Sequence, residues 1–340
     1  MKLIFINIIL LFTTIMLLQA CNKQTPDVFV PNIVQADTTW TSVDSITPIS
    51  LTPPASPTII DSLTVQDDDH QSINEGDSIT VHFPQGGFFS SNQPNSPIKA
   101  SAKIKAELIV IKSKGDLIKR GISTIAKNGQ ILSIGDLINV RLTTKGNPVF
   151  WSQLATPIQI FIKDSKPSSS MRFITLQPTS GGPRDSAWGI PPPPSIPNSI
   201  QNTVISYPNP IGGNLPKAPG YIYSSNNIGW FGSAIFIDST LPKTILNVFL
   251  PLTYTNKNTN IFAVFDNQKT VLLLKPNPKG KSYSVPNVPI NSRITLISIS
   301  KLNGDSYLGI SSIVANSSNP TSIVPNKKTM QEINQYLNGL

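Results

Sequence analysis

Residues 102–111, AKIKAELIVI, form the stretch from which the fold class follows. Polar and apolar side chains alternate along its first half, and Lys103, Lys105 and Glu107 fall on one face. A period of two is the pattern of a strand that buries one face. Strand patterns recur nearby, in residues 78–83, 137–142 and 158–162.

Turn signals separate these stretches. Asn128-Gly129 and Lys145-Gly146 favour positive backbone dihedrals, and Lys114-Gly115-Asp116 is interpreted as a further turn. The chain contains 31 Pro and 20 Gly, which makes long helices scarce. Short strands at this spacing predict an all-β fold, with a first β-sandwich over residues 58–177.

A second strand-rich region follows, over residues 220–318. Its strands are nearly continuous apolar runs, which indicate burial on both faces. The candidates are residues 234–237, 246–250, 261–265, 271–274 and 294–299. They predict a second β-sandwich, joined to the first by a Pro/Gly-rich linker over residues 178–219.

The last residues predict a short helix within residues 327–340. Thr329 can cap it, and Glu332 three residues later completes a capping box. Met330, Ile333, Tyr336 and Leu337 fall on one stripe, which we expect to pack against a sandwich.

The beginning of the chain has the pattern of a secretory leader. Lys2 precedes an apolar segment, and residues 18–21 read LQAC, which resembles a bacterial lipobox. We expect a signal peptide over residues 1–20 and lipidation of Cys21, the single cysteine of the chain. Residues 21–57, rich in Pro, Ser and Thr, predict a disordered acidic tether.

Charge is distributed unevenly along the chain. The net charge is +9, yet residues 21–80 carry nine acidic side chains and one basic side chain, a net −8. The basic remainder fits anionic lipid headgroups, anionic glycans or the chain's own acidic arm, and it also fits an ordinary solvated surface. An envelope location argues against nucleic acid as a partner.

Residues 115–124, residues 128–132 and Gly135 together resemble a segment of uncharacterised envelope lipoproteins of Bacteroidota. The first module of those proteins resembles a ZU5-type β-sandwich. A later match begins at Gly229-Trp230 and continues in residues 242–244. The resemblance implies a fold and a place at the outer membrane of the bacterial cell envelope, and it implies no activity.

The sequence predicts no catalytic site, no cofactor and no metal site. Residues 67–70, DDDH, offer carboxylates for calcium but lack the spacing of a calcium loop. Ser96 and Ser298 begin S-x-x-K patterns without their companion motifs. A glycosidase needs two carboxylates a few ångströms apart, and most of the carboxylates here fall at turns.

Three tryptophans are the remaining candidates for ligand binding. Trp151, Trp188 and Trp230 could stack on sugars if they are exposed, or they could belong to the cores of the sandwiches. We therefore expect a lipid-anchored envelope protein with a non-catalytic binding, scaffolding or assembly role, whose partners are the membrane and envelope proteins or glycans. The alternatives are a glycan-binding surface lipoprotein and, less favoured, a hydrolase of envelope polymers.

Overall fold

The computed structural model of the chain describes residues 37–42, 58–64, 71–76, 78–84, 86–90, 93–99, 102–152, 155–179, 182–190, 203–205, 219–237, 240–316 and 320–340. The predicted leader, Cys21 and residues 67–70 lie outside these described residues. Residues Thr38–Leu340 belong to one compact unit.

Antiparallel strands dominate the described residues, which confirms the predicted all-β fold. Fourteen strands occur before residue 240: β1 (Thr58–Thr64), β2 (Gln71–Glu75), β3 (Ile79–Phe83), β4 (Phe88–Ser90), β5 (Gln93–Pro97), β6 (Lys103–Ile111), β7 (Leu132–Thr144), β8 (Asn147–Trp151), β9 (Ile158–Lys163), β10 (Arg172–Thr179), β11 (Gly182–Gly189), β12 (Thr203–Ile205), β13 (Gly220–Ser225) and β14 (Trp230–Phe236). Nine follow: β15 (Lys243–Phe249), β16 (Thr259–Phe265), β17 (Val271–Leu273), β18 (Lys275–Asn277), β19 (Ser282–Pro289), β20 (Arg293–Leu302), β21 (Asp305–Val314), β22 (Thr321–Ser322) and β23 (Asn326–Lys327). The helices within the described ranges are α1 (Lys114–Lys119) and α2 (Met330–Asn338).

Two sheets form the first β-sandwich. One has nine strands, in the order β11-β10-β14-β7-β8-β4-β5, with β6 between β1 and β7. The other has five, in the order β12-β13-β9-β3-β2. Alternate side chains from both sheets meet in one core, for example Ile104 and Val140 from the larger sheet with Val81 and Ile160 from the smaller.

The second β-sandwich packs a four-stranded sheet, β18-β19-β15-β22, on a five-stranded sheet, β17-β16-β20-β21-β23. Leu246 and Tyr283 from the first of these sheets share a core with Ile261 and Leu296 from the second. The hairpin turn between β20 and β21 has Asn303 and Gly304 at positive φ, of 52° and 86°.

The five-stranded sheet of the second sandwich is buried on its other face as well. Phe262 and Ile297 from that face pack with Leu117 of α1 and with Ile333 and Leu337 of α2. This confirms the packing of the C-terminal helix and the two-sided burial predicted for residues 261–265, 271–274 and 294–299. For residues 246–250 the prediction is wrong, because β15 buries only one face and exposes the other. The predicted capping box at Thr329 and Glu332 is also present.

Strand pairing differs from the predicted module boundaries. β11 lies within the predicted linker yet pairs with β10, and β13 and β14 lie within the predicted second module yet pair with β9 and β7 of the first. The apolar residues of β13 and β14 fill the first core, where Tyr221, Tyr223 and Phe231 are buried. The first sandwich therefore extends to Phe236.

Part of the predicted tether contacts the second sandwich. The ring of Trp40 packs on Tyr283, with 5.2 Å between ring centroids. The backbone N–H of Thr41 donates to Asn256 Oδ1 at 3.2 Å, and Asn256 Nδ2 donates back to the Thr41 carbonyl at 2.7 Å. This reciprocal pair fixes the backbone of the segment as a neighbouring strand would.

Candidate functional site

The candidate site lies on the outer face of the larger sheet of the first sandwich. Along β6, Ile104, Ala106 and Leu108 point into the core and are fully buried. The strand period of two therefore turns Lys103 and Lys105 outward, where both are exposed. Burial of one face of β6 fixes the position of the charges on the other.

Strand β7, which pairs with β6, supplies the next side chains of the site. Arg141 lies in register with Glu107, and Thr143 lies in register with Lys105. Beyond them the chain turns through Lys145 and Gly146, whose φ angles are 50° and 81°. These angles match the tight turn that joins two twisted strands, so Lys145 is held beside the end of β7.

Together these side chains line an open pocket of about 490 Å³ on the sheet face, which we call the cationic pocket. Four of its eight residues are cations and one is an anion. The residues that line it are Ser62, Lys103, Lys105, Glu107, Arg141, Thr143, Lys145 and Gly146.

One ion pair within the pocket neutralises part of this positive charge. Lys105 Nζ lies 2.6 Å from Glu107 Oε1. The hydrogen bond from Lys105 lowers the pKa of Glu107, and the nearby charges of Lys105 and Arg141 lower it further. Glu107 therefore remains ionised near neutral pH, and the pocket keeps an excess of three positive charges.

Such an arrangement can bind an anion. Lysine and arginine offer only hydrogen-bond donors, and the hydroxyl groups of Ser62 and Thr143 add two short donors at the pocket wall. Like charges gathered on one sheet face repel each other, and a bound anion would relieve that repulsion.

The predicted site tryptophans are not brought together. Trp151 and Trp188 are buried, at 4% and 0% exposure, in two different cores. Their indole N–H groups donate to the carbonyl oxygens of Thr156 at 3.0 Å and Ser123 at 2.9 Å. A buried, hydrogen-bonded ring has no free face for a sugar, so these two residues are structural.

Trp230 is half-buried and packs at the edge of the core that contains Trp188. Cys21 lies outside the described residues, so its lipidation stays a prediction. Among the described residues, no group of three His, Cys, Asp or Glu side chains could hold a metal ion. None of the described helices has the length and hydropathy to cross a membrane.

The sequence predicts the part of the cationic pocket that lies on β6 but not the part that lies on β7 and the turn after it. The alternation in residues 102–111 placed Lys103, Lys105 and Glu107 on one face. The sequence places Arg141 in the predicted strand over residues 137–142 and Lys145 in the turn that follows, and it gives neither residue a role in a site. No local pattern joins them to Lys105, because that proximity depends on the register between β6 and β7.

A second charged cluster joins the two sandwiches. Lys269, in the turn between β16 and β17, donates through Nζ to the carbonyl oxygens of Gly135 at 2.7 Å and Ile111 at 3.2 Å. Its Nζ also lies 3.9 Å from Asp136 Oδ1. Burial lowers the pKa of Lys269 and raises that of Asp136, while their mutual attraction opposes both shifts. All of these partners belong to the protein, so this cluster is a structural joint.

Comparison with models of known protein families gives no match, and comparison with curated proteins gives no significant match. The resemblance to Bacteroidota envelope lipoproteins therefore stays a prediction.

Proposed function

We propose that this protein is a lipid-anchored, non-catalytic binding protein of the bacterial cell envelope, held at the outer membrane through Cys21. The LQAC motif at residues 18–21 supports the anchor. The cationic pocket supports the binding role and is the observation that carries it. The proposed partner is an anionic component of the envelope. The protein is attached to the membrane through the lipid on Cys21.

The anchor is tested by the Cys21→Ser variant. Each buried methylene contributes about 0.8 kcal/mol, and two or more acyl chains are needed for firm attachment. We expect the wild-type chain to incorporate labelled palmitate and to sediment with membranes. The variant should do neither, and an unmodified cysteine in the wild-type protein would overturn the anchor.

The binding role is tested with the full chain carrying Cys21→Ser, so that the lipid cannot retain it. Isolated envelopes lacking the protein should retain this chain at low salt and release it at high salt, because salt screens exposed charges. Adding Arg141→Gln and Lys145→Gln should abolish retention. The matched control, Lys279→Gln with Lys301→Gln, removes two exposed cations from the second sandwich and should be retained. Equal retention of both variants would contradict a role for the pocket.

A sugar-stacking role for the tryptophans is not favoured, because Trp151 and Trp188 have no free ring face. An anionic glycan remains compatible with the cationic pocket, where charge and hydroxyl donors would replace stacking.

A further inference from the structure

We infer that the ligand of the cationic pocket carries a phosphate monoester. This inference rests on the proposed binding role and goes further, because it names the chemical group that the pocket recognises. It follows from the charge of the pocket, the geometry of its donors and its size.

The charge of the pocket exceeds what a single carboxylate can neutralise. Lys103, Lys105, Arg141 and Lys145 contribute four positive charges, and Glu107 contributes one negative charge. A monoanionic ligand would leave two positive charges uncompensated in a small volume. A phosphate monoester carries a charge of about −1.5 to −2 near neutral pH, and so leaves about 1 to 1.5 positive charges uncompensated.

The donors rise from three neighbouring strands on one face of the larger sheet. Ser62 of β1 lies in register with Lys105 of β6. Arg141 belongs to β7, which pairs with β6 on its other side. Lys145 approaches from the turn that follows β7. A phosphate has three terminal oxygens and can accept bonds from donors on several strands at once, whereas a carboxylate has only two oxygens.

Arginine is suited to this contact. Its planar guanidinium can give two parallel hydrogen bonds to two phosphate oxygens, while the lysines act as point charges around it. Within the described part of the chain, Arg141 acts on Glu107 through its charge. Its neighbour on β6, Glu107, is engaged by Lys105 at 2.6 Å.

The size of the pocket indicates a substituted phosphate. A volume of about 490 Å³ lies within the range of sites for small organic ligands. A free phosphate ion would leave most of this space to water. A sugar phosphate, or the phosphorylated headgroup of a lipid, would fill more of it.

The test uses the full chain with Cys21→Ser, and titration calorimetry with glucose 6-phosphate, glucose and glucuronate. We expect binding of glucose 6-phosphate, no binding of glucose and at least about tenfold weaker binding of glucuronate. A second arm uses vesicles of phosphatidylcholine alone and vesicles with equimolar phosphatidic acid. Binding of glucose 6-phosphate alone assigns the pocket to phosphorylated sugars, and additional binding of phosphatidic acid vesicles assigns it to lipid headgroups as well.

Three variants connect the binding to the pocket. Arg141→Gln with Lys145→Gln should raise the dissociation constant for glucose 6-phosphate at least about tenfold. The control pair Lys279→Gln and Lys301→Gln should leave it unchanged. Glu107→Gln should lower the dissociation constant, because it removes the anion that competes with the ligand for Lys105. A gain in affinity cannot result from a failure to fold.

Glucuronate binding as tightly as glucose 6-phosphate, or glucose 6-phosphate binding equally to the pocket variant and the control, would overturn the inference. If no phosphate monoester binds while envelopes still retain the protein through the pocket, this inference fails and the proposed function stands. If the envelopes also fail to retain it, both fail.

Discussion

Gly115 sets the distance between the two helices. A Cβ atom at this position would overlap with the carbonyl oxygen of Leu337, which is backbone and cannot rotate away. Gly115→Ala should therefore separate α1 from α2 and lower the free energy of unfolding by about 1–3 kcal/mol, measured by urea denaturation. In the control Gly339→Ala, the added Cβ meets only the Tyr336 carbonyl oxygen at 3.4 Å. Its effect should stay within about 0.5 kcal/mol, and equal losses in both variants would contradict the close approach.

Trp188 is a second residue whose role the structure defines. Replacing it with Phe removes the indole N–H that reaches the Ser123 carbonyl and leaves space in a fully buried site. Trp188→Phe should lower the free energy of unfolding by about 2–3 kcal/mol. Trp230→Phe, at a half-buried position, should cost less. A stable Trp188→Phe protein with weakened glycan binding would instead restore the ligand role that the sequence suggests.

Local sequence cannot decide between these roles for an aromatic residue. A tryptophan suits a core and a sugar site equally, because its ring is apolar and its N–H is polar. Trp188 also lies in the Pro- and Gly-rich region that predicts a linker, yet β11 carries it into a core. The cationic pocket is likewise only partly predictable from local sequence. The period of β6 predicts the face on which Lys105 lies, whereas the proximity of Lys105 to Arg141 depends on the register between β6 and β7.

At the scale of the element, the capping box of α2 makes a prediction about pH. The hydrogen bond from Lys328, and then those from Thr329, lower the pKa of Glu332 to about 2. Because its pKa in the unfolded chain is about 4.3, the folded state binds this proton more weakly. The stabilisation by Glu332 is therefore present above about pH 4 and is lost as the pH falls towards 2.

Hydrogen exchange of the α2 amide protons would measure this effect. The wild type should show greater protection than Glu332→Gln near pH 5, and the difference should shrink as the pH falls to 2, where about half of the Glu332 side chains are neutral in the folded state. Lys279→Gln, on the second sandwich, should follow the wild type at both pH values. A difference between wild type and Glu332→Gln that is as large at pH 2 as at pH 5 would show that the charge is not responsible.

The two helices differ in how far the sequence predicts them. For α2, the cap at Thr329 and the apolar stripe indicate both its start and its packing face. For α1, Lys114-Gly115-Asp116 indicates a turn, because glycine disfavours a helix and the segment is short. The helix forms nonetheless, since Ser113 and Asp116 make a capping box and Leu117 is buried against α2. Its stability comes from contacts that are distant in sequence.

At the scale of the whole molecule, the two sandwiches share hydrogen bonds that no local pattern predicts. The Thr124 N–H donates to the Val271 carbonyl at 2.7 Å, and Thr270 Oγ1 donates to the Leu132 carbonyl at 2.8 Å. The sequence predicts strands, turns and two sandwiches because those follow from local periodicity. It misplaces β13 and β14 because a strand's apolar pattern indicates burial without indicating which core it enters.

Lys269 provides the charged part of this joint, and Lys269→Met tests it. The variant leaves the carbonyl groups of Gly135 and Ile111 without their donor and Asp136 without its counter-charge. We expect the free energy of unfolding at pH 7 to fall by about 2–4 kcal/mol, with Lys279→Met unchanged as the exposed control.

The pH dependence of that loss separates its two causes. Burial already raises the pKa of Asp136, and removal of Lys269 should raise it further, so the folded variant binds this proton more tightly than the unfolded chain does. The loss should therefore shrink as the pH falls from 7 through the raised pKa of Asp136, and only the part due to the unpaired carbonyl groups should remain. Adding Asp136→Asn should reproduce that smaller loss at pH 7. Urea denaturation of the single and double variants across this range measures both parts, and a loss that does not change with pH would assign all of it to the carbonyl groups.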